Sequence, residues 1–216
     1  MKRFCILAAL LLLLPLRPVL AWEEPCIGQP YDYSYADERR MIAVNRIEEP
    51  SLTYFVADVQ LAEGSLWQSV CSDTMRPLTQ LLAGTDAVLA INGDDYGAHN
   101  NGVIIRNGEL LRARDTTRHM LTVDGDGALR LLTDRKHHPA KALAEQLLAE
   151  NIRQAYEFGP ALVEDGQALQ QLFLDYGAQT AFNLDGGGST ELWFMGEILN
   201  QPCGGHERSV SDGIFF

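Results

Sequence analysis

Three short stretches hold the residues that could do chemistry. They are "FNLDGGGSTELWF" at 182–194, "INGDDYG" at 91–97 and "GGHERSVSDGIFF" at 204–216. In the first, Asp185 precedes Gly186, Gly187, Gly188, Ser189 and Thr190. Three ordered glycines cost backbone entropy, and the flanks "AFNL" and "ELWF" read as buried strand rather than linker. The stretch is therefore read as a tight turn carrying a ligand site. Asp185 would project from a strand end. The amides of Gly186, Gly187, Gly188 and Ser189 could point into one concavity, a nest that binds phosphate oxygens without a net positive charge. Ser189 and Thr190 add hydroxyl donors. No lysine follows the glycines, so this is not a P-loop; a plain glycine-rich hairpin loop is the competing reading.

The second stretch repeats the pattern: an apolar run, then Asn92 and Gly93, then Asp94, Asp95 and Tyr96. Asp and Asn dominate ordinary turns. The sharper reading has two strand ends presenting Asp94 or Asp95 and Asp185 to one cleft. Cleaving an acetal with a good leaving group requires stabilised positive charge at the anomeric carbon and a base or nucleophile, and paired carboxylates supply both. The third stretch adds Arg208, a planar cation suited to bidentate phosphate binding. It also holds His206, which could titrate near neutrality, and Asp212 in an "SDG" turn.

The elements that must position these residues are mixed. "MIAVNRI", "LTYFVADVQL" and "AVLAI" read as strands. "GVIIRNGELLR" is a hairpin turning at Asn107-Gly108, and "MLTVDGDGALRLL" is a second hairpin. "MRPLTQLLAG" reads as a helix with Leu78, Leu81 and Leu82 on one face. "HPAKALAEQLLAENI" reads as an amphipathic helix placing Leu143, Leu147 and Ile152 together. "FGPALVEDG" is a short strand, "QALQQLFLDYG" a brief helix leading into a Phe182 strand, and "RSVSDGIFF" a closing strand. Without regular alternation of strand and helix, the fold class is α+β: a mixed, mainly antiparallel sheet with hairpins and a few packed helices.

Residues 1–21 read as a secretory signal peptide: a basic start, an apolar stretch short of a membrane span, and "VLA" before Trp22. The expected domain is 22–216, extracytoplasmic or secreted, with no later transmembrane segment. Residues 1–21 hold Lys2, Arg3 and Arg17 and no acid. The remainder therefore carries 14 basic and 29 acidic residues, a formal charge of −15. That balance disfavours nucleic acid and anionic membranes as partners. Cys26, Cys71 and Cys203 remain after the signal, an odd count that suggests one bridge and one spare thiol. Cys26–Cys71 is the preferred pairing among three. The spacings fit no structural zinc pattern, and His137-His138 reads as a solvated loop pair. No cofactor is predicted, and a divalent metal is left open.

Five segments in order resemble the phosphodiester glycosidase domain family, to which the lysosomal "uncovering enzyme" is related: "INGDDYG", "IIRNGELLR", "FGPALVEDG", "NLDGGGSTELWF" and "ERSVSDGIFF". The resemblance runs from about Asp86 to Phe216. It implies a glycosidase acting on a phosphorylated glycan or sugar-1-phosphate diester. Asp185, Asn92 and Asp94 would be catalytic. Asn183, Gly186, Gly187, Gly188, Ser189, Thr190, Tyr96, Arg208 and Asp212 would bind substrate. Asp95 stands where relatives usually carry an aromatic, so no role passes to it. Between Gly166 and Asn183 this chain has sixteen residues and no arginine, where the family has a longer stretch with two core strands. That looks like an internal deletion, and it favours an alternative: a catalytically impaired paralogue that binds glycan phosphate.

Overall fold

The computed structural model describes residues 22–134, 138–162, 171 and 173–216. Among these the named strands form three sheets in which every pairing is antiparallel. The first is a meander of β1 (Tyr33–Ala36), β2 (Arg40–Glu49) and β3 (Leu52–Leu61). β2 turns Ile42 and Val44 onto Val88, Leu89 and Phe194, because a sheet with one apolar face must bury it against another layer. The buried Arg40 side chain donates to Asp86 at 3.0 Å and ties this meander to the approach of β5.

The second sheet has the order β7-β6-β10-β8-β9. β6 (Gly102–Arg106) and β7 (Glu109–Arg114) form the expected hairpin, and both turn residues, Asn107 and Gly108, have positive φ as this turn type requires. β8 (Met120–Asp124) and β9 (Leu129–Leu132) form the other. Helix α2 (Ala140–Ala149) covers the sheet with Ala140, Leu143, Ala144 and Leu147, the 3–4 spacing of a helix facing a core. Its first free amide, Ala140 N, is capped from outside by Asp115 Oδ1 at 2.8 Å. Asn151, at φ 58, ends it in the left-handed conformation common after a helix. Ile152, expected on the helix, therefore opens β10 (Ile152–Tyr156), although it joins the same apolar cluster.

The third sheet, β12-β11-β5-β13-β4, carries the site. It contains β4 (Gln68–Pro77), β5 (Leu89–Asn92), β11 (Leu192–Phe194), β12 (Glu197–Ile198) and β13 (Ser209–Phe215). The helix expected at 75–84 is a single turn, α1 (Leu78–Leu81), because Arg76 and Pro77 instead pair with Val210 and Ser209. The strands expected in "FGPALV" and "AFNL" reduce to one bridge, Ala161 with Phe182. Pro160 has no amide to extend that ladder. The rest of "FGPALVEDG" and most of "QALQQLFLDYG" lie outside the described residues, as do residues 1–21. No helix among the described residues is long and apolar enough to cross a membrane. The Cys26–Cys71 bridge is not formed: Cys26, Cys71 and Cys203 are all free and exposed. The Cys26 amide is held at β3 by Asp58 Oδ2 at 2.8 Å, whereas Cys71 sits on β4 opposite Asp212.

One buried ion cluster joins the turn after β5, the end of β6 and the middle of β13. Arg106 Nε donates to Asp212 Oδ2 at 2.9 Å, and Nη2 donates to Asp94 Oδ1 at 2.6 Å. Its Nη1 donates to the carbonyls of Ile105 and Ala155, and Tyr156 lies 4.1 Å from the guanidinium carbon. Asp94 Oδ2 accepts from the Glu157 amide at 2.8 Å. None of the three charged residues is more than 2% exposed. Gly93 is a glycine for space: a Cβ there would stand 2.3 Å from the Asp212 carboxylate. The SDG segment is thus part of β13 rather than a turn, with its register broken between Val210 and Asp212.

Arg106→Met would leave two buried carboxylates without their cation. Such a loss costs about 3–5 kcal/mol, a large part of a domain's usual stability of about 5–15 kcal/mol. Urea denaturation near neutral pH should show a loss of that size. A loss below about 1 kcal/mol would mean the cluster does not hold these segments.

Candidate functional site

The end of β5 and the glycine bend are bonded directly to each other. Asn92 Nδ2 donates to the Asp185 carbonyl at 2.7 Å, and its Oδ1 accepts the Glu191 amide at 3.2 Å. The Asp185 amide donates to the Gly93 carbonyl at 3.2 Å. Asn92, 5% exposed, therefore spans the bend from Asp185 to Glu191. After it, Gly187–Ser189 form one 3₁₀ turn, with Gly187 at φ 60. The Ser189 and Thr190 amides turn back to the carbonyls of Gly186 and Gly187. Ser189 thus leaves the expected nest, and the Gly186, Gly187 and Gly188 amides remain as the bend's donors. A Cβ at Gly186 or Gly187 would meet nothing within 4 Å, so this side of the bend is open to approach.

Arg208 supplies the third corner. It lies across Gly188, where a Cβ would stand 2.9 Å from Arg208 Cδ and 3.0 Å from Nη1. The guanidinium itself is at the surface. A larger residue at 188 would push it off the bend.

The expected carboxylates divide into two groups. Asp94 and Asp212 belong to the buried cluster behind the site, where Arg106 and the Glu157 amide use their oxygens. Two carboxylates and one guanidinium leave that cluster with excess negative charge. Burial pushes the Asp212 pKa up to about 7, against the pull of Arg106 and with the push of Asp94. Asp95 and Asp185 form the second group. Each has one buried carboxylate oxygen without a hydrogen-bond partner among the described residues. Burial raises the Asp95 pKa first, then the nearby Asp185 charge; His99 and a Ser211 hydrogen bond oppose both. Asp95 sits at φ 52, an uncommon conformation for a residue other than glycine.

The remaining expected residues sit around this centre. Asn183 is tied to the 159–160 segment through its amide to the Pro160 carbonyl and its Nδ2 to the Gly159 carbonyl, both at 3.2 Å. Tyr96 stacks near both Arg106 and Arg112, at 5.5 and 5.6 Å, and its phenol pKa is raised by burial, then by Cys71 and Asp212. Ser189 is buried and Thr190 exposed. His206 and His138 are exposed. No cluster of three or more metal-ligating side chains occurs among the described residues.

Sequence reading missed Arg106, which looked like one residue of a hairpin, and Glu191. Glu191 is 2% exposed and neither of its oxygens has a hydrogen bond of ordinary geometry among the described residues. Burial and the Glu207 charge push its pKa up to about 7, with the Arg208 backbone amide acting the other way.

The comparisons agree with this geometry at the level of fold and family. The profile of the phosphodiester glycosidase (NAGPA) family matches residues 85–171 and 167–216, and the chain belongs to that family. The two matched segments overlap at 167–171, within the stretch that the sequence reading took as an internal deletion. The fold resembles the zebrafish N-acetylglucosamine-1-phosphodiester alpha-N-acetylglucosaminidase catalytic domain, auto-inhibited by its pro-peptide. That match has a TM-score of 0.57 at 14% identity and covers 88% of this chain and 89% of that one. It also resembles a hypothetical protein from Synechocystis, with a TM-score of 0.59 at 13% identity, over 82% of this chain and 62% of that one. No curated protein sequence matches.

Glu191 gives a pH test of the site. With its folded pKa raised from 4.5 to about 7, its stabilising contribution is fully present below 4.5 and is lost as pH rises through about 7. Glu191→Gln should therefore match wild type near pH 5 and, with roughly 3 kcal/mol regained, melt about 6–12 °C higher near pH 8. Parallel melting curves at both pH values would mean the carboxylate is solvated or paired.

Proposed function

We propose that the chain is an extracytoplasmic hydrolase of sugar–phosphate diesters that cleaves on the glycosidic side. Supporting this, Asn92 donates to the Asp185 carbonyl, Arg208 lies across Gly188, and Asp95 and Asp185 interact and each keep one oxygen without a hydrogen-bond partner among the described residues. The bend amides and Arg208 would hold the phosphate, using backbone dipoles and one planar cation in a strongly acidic chain. Asp185 would stabilise positive charge building at the anomeric carbon. Asp95, whose pKa is raised, would carry a proton to the departing phosphate oxygen. Water adds to the anomeric carbon and loses its proton to the Asp95 carboxylate formed when that acid protonates the leaving oxygen, the carbon–oxygen bond to phosphate breaks, and a phosphate monoester leaves. Asn92 would fix the bend, and Asp94 and Asp212 would act through Arg106 as positioning residues. The signal-like residues 1–21 support an envelope or extracellular glycan as substrate.

A second reading, glycan-phosphate binding without turnover, is favoured by the short passage from Gly166 to Asn183, which lacks the arginine the family pattern leads one to expect.

Reducing-sugar release from a sugar-1-phosphate diester separates the two. Asp185→Asn should lower kcat by about 10²–10⁴-fold. Wild-type activity should fall as pH rises through the Asp95 pKa, since the acid must be protonated, and Asp95→Asn should be slow and lack that alkaline limb. Equal rates from wild type and Asp185→Asn would remove Asp185 from the mechanism. Phosphate-dependent glycan binding with no turnover in any variant would establish the second reading.

A further inference from the structure

A cavity of about 720 Å³ lies on the other side of the bend from Arg106, between β3 and the β5–β11 edge. Its size is that of a small-ligand site. Its lining includes the aromatic residues Tyr54 and Phe55, consecutive on β3, and polar residues such as Thr53 and Asn200. The arrangement suits a sugar, whose faces are apolar and whose edge is polar. Two charged side chains line it, Arg46 and Glu191. Arg46 is paired with Glu48 at 2.5 Å. Glu191 is nearly fully buried, its oxygens have no hydrogen bond of ordinary geometry among the described residues, and the Arg208 backbone amide is the donor nearby. Its nearest charged neighbour from the β13 side, Glu207, is also acidic and accepts from the amide and hydroxyl of Thr79. Cys203 also lines the cavity and is exposed. An unpaired buried carboxylate is costly unless a donor or a cation meets it. The cation lining the cavity, Arg46, is paired with Glu48, and the charge acting on Glu191 from Glu207 is negative, so a cationic group on a ligand would meet Glu191 unopposed.

We propose that this cavity binds a sugar bearing a free ammonium group, with Glu191 as the carboxylate that pairs with it. The inference deepens the glycan-phosphate reading above by naming the sugar class, and it rests on that reading for the choice of a glycan.

Isothermal titration calorimetry of the whole protein near pH 7 tests it, with the glucosamine disaccharide and its N,N′-diacetyl form as probes. The free-amine disaccharide should bind about tenfold tighter, the least expected of a charge-assisted pair. Its binding enthalpy should depend on the buffer, because pairing releases a proton from Glu191. In Glu191→Gln the preference should fall below about twofold while the circular dichroism spectrum is unchanged. Equal or tighter binding of the diacetyl form to wild type would overturn the proposal, even if the variant fails to fold. So would a preference that survives in folded Glu191→Gln. Calorimetry reads binding alone, so Asp185→Asn should keep the amine preference. Absence of hydrolysis in the wild type, with that preference intact, would count against the hydrolase reading only.

Discussion

A guanidinium held between two carboxylates in a dry interior constrains the rest of this structure. Taking three charges out of water costs several kcal/mol per ion and is offset only when their hydrogen bonds are satisfied. Arg106 meets that condition with two carboxylates and two carbonyls, and Asp94 with a backbone amide as well. The bonds fix the turn after β5 and the end of β6 against the middle of β13. They also explain why residue 93 must be glycine, since the Asp212 carboxylate fills the space a side chain would need.

With those segments fixed, the polar groups on the other side can be left unsatisfied. Asp95, Asp185 and Glu191 all keep buried oxygens without a hydrogen bond of ordinary geometry among the described residues. Such groups are destabilising by themselves and concentrate where a ligand completes them. The buried cluster and the orphaned carboxylates thus divide the acids of two motifs by role. Asp94 and Asp212 hold the corner, while Asp95 and Asp185 face outward from it.

Much of this division was not legible in the sequence. The hairpin at Asn107-Gly108 was, because its turn chemistry is local and specific. So was the meeting of the Asn92, Asp185 and Arg208 corners, through the family resemblance. Two adjacent aspartates cannot be assigned to inside and outside without knowing the turn conformation. β4 was missed because "QSVCSDTMRP" is polar and mostly exposed, and its strand form comes from pairing with β13. β10 was hidden by the helical pattern running into Ile152, which Asn151 interrupts. The interior cation looked like a hairpin residue because "IIRNG" gives no sign that its arginine points inward. Glu191 was read as part of a strand flank, and its burial depends on the meander that packs against β5 and β11.

Backbone NMR of the isotopically labelled protein during titration with a sugar 1-phosphate tests the convergence most directly. The amides of Gly186, Gly187, Gly188 and Arg208 should shift together along one saturation curve, with Asp95 moving at the same midpoint. Shifts scattered over the surface, or a bend that stays silent while other segments respond, would contradict the account.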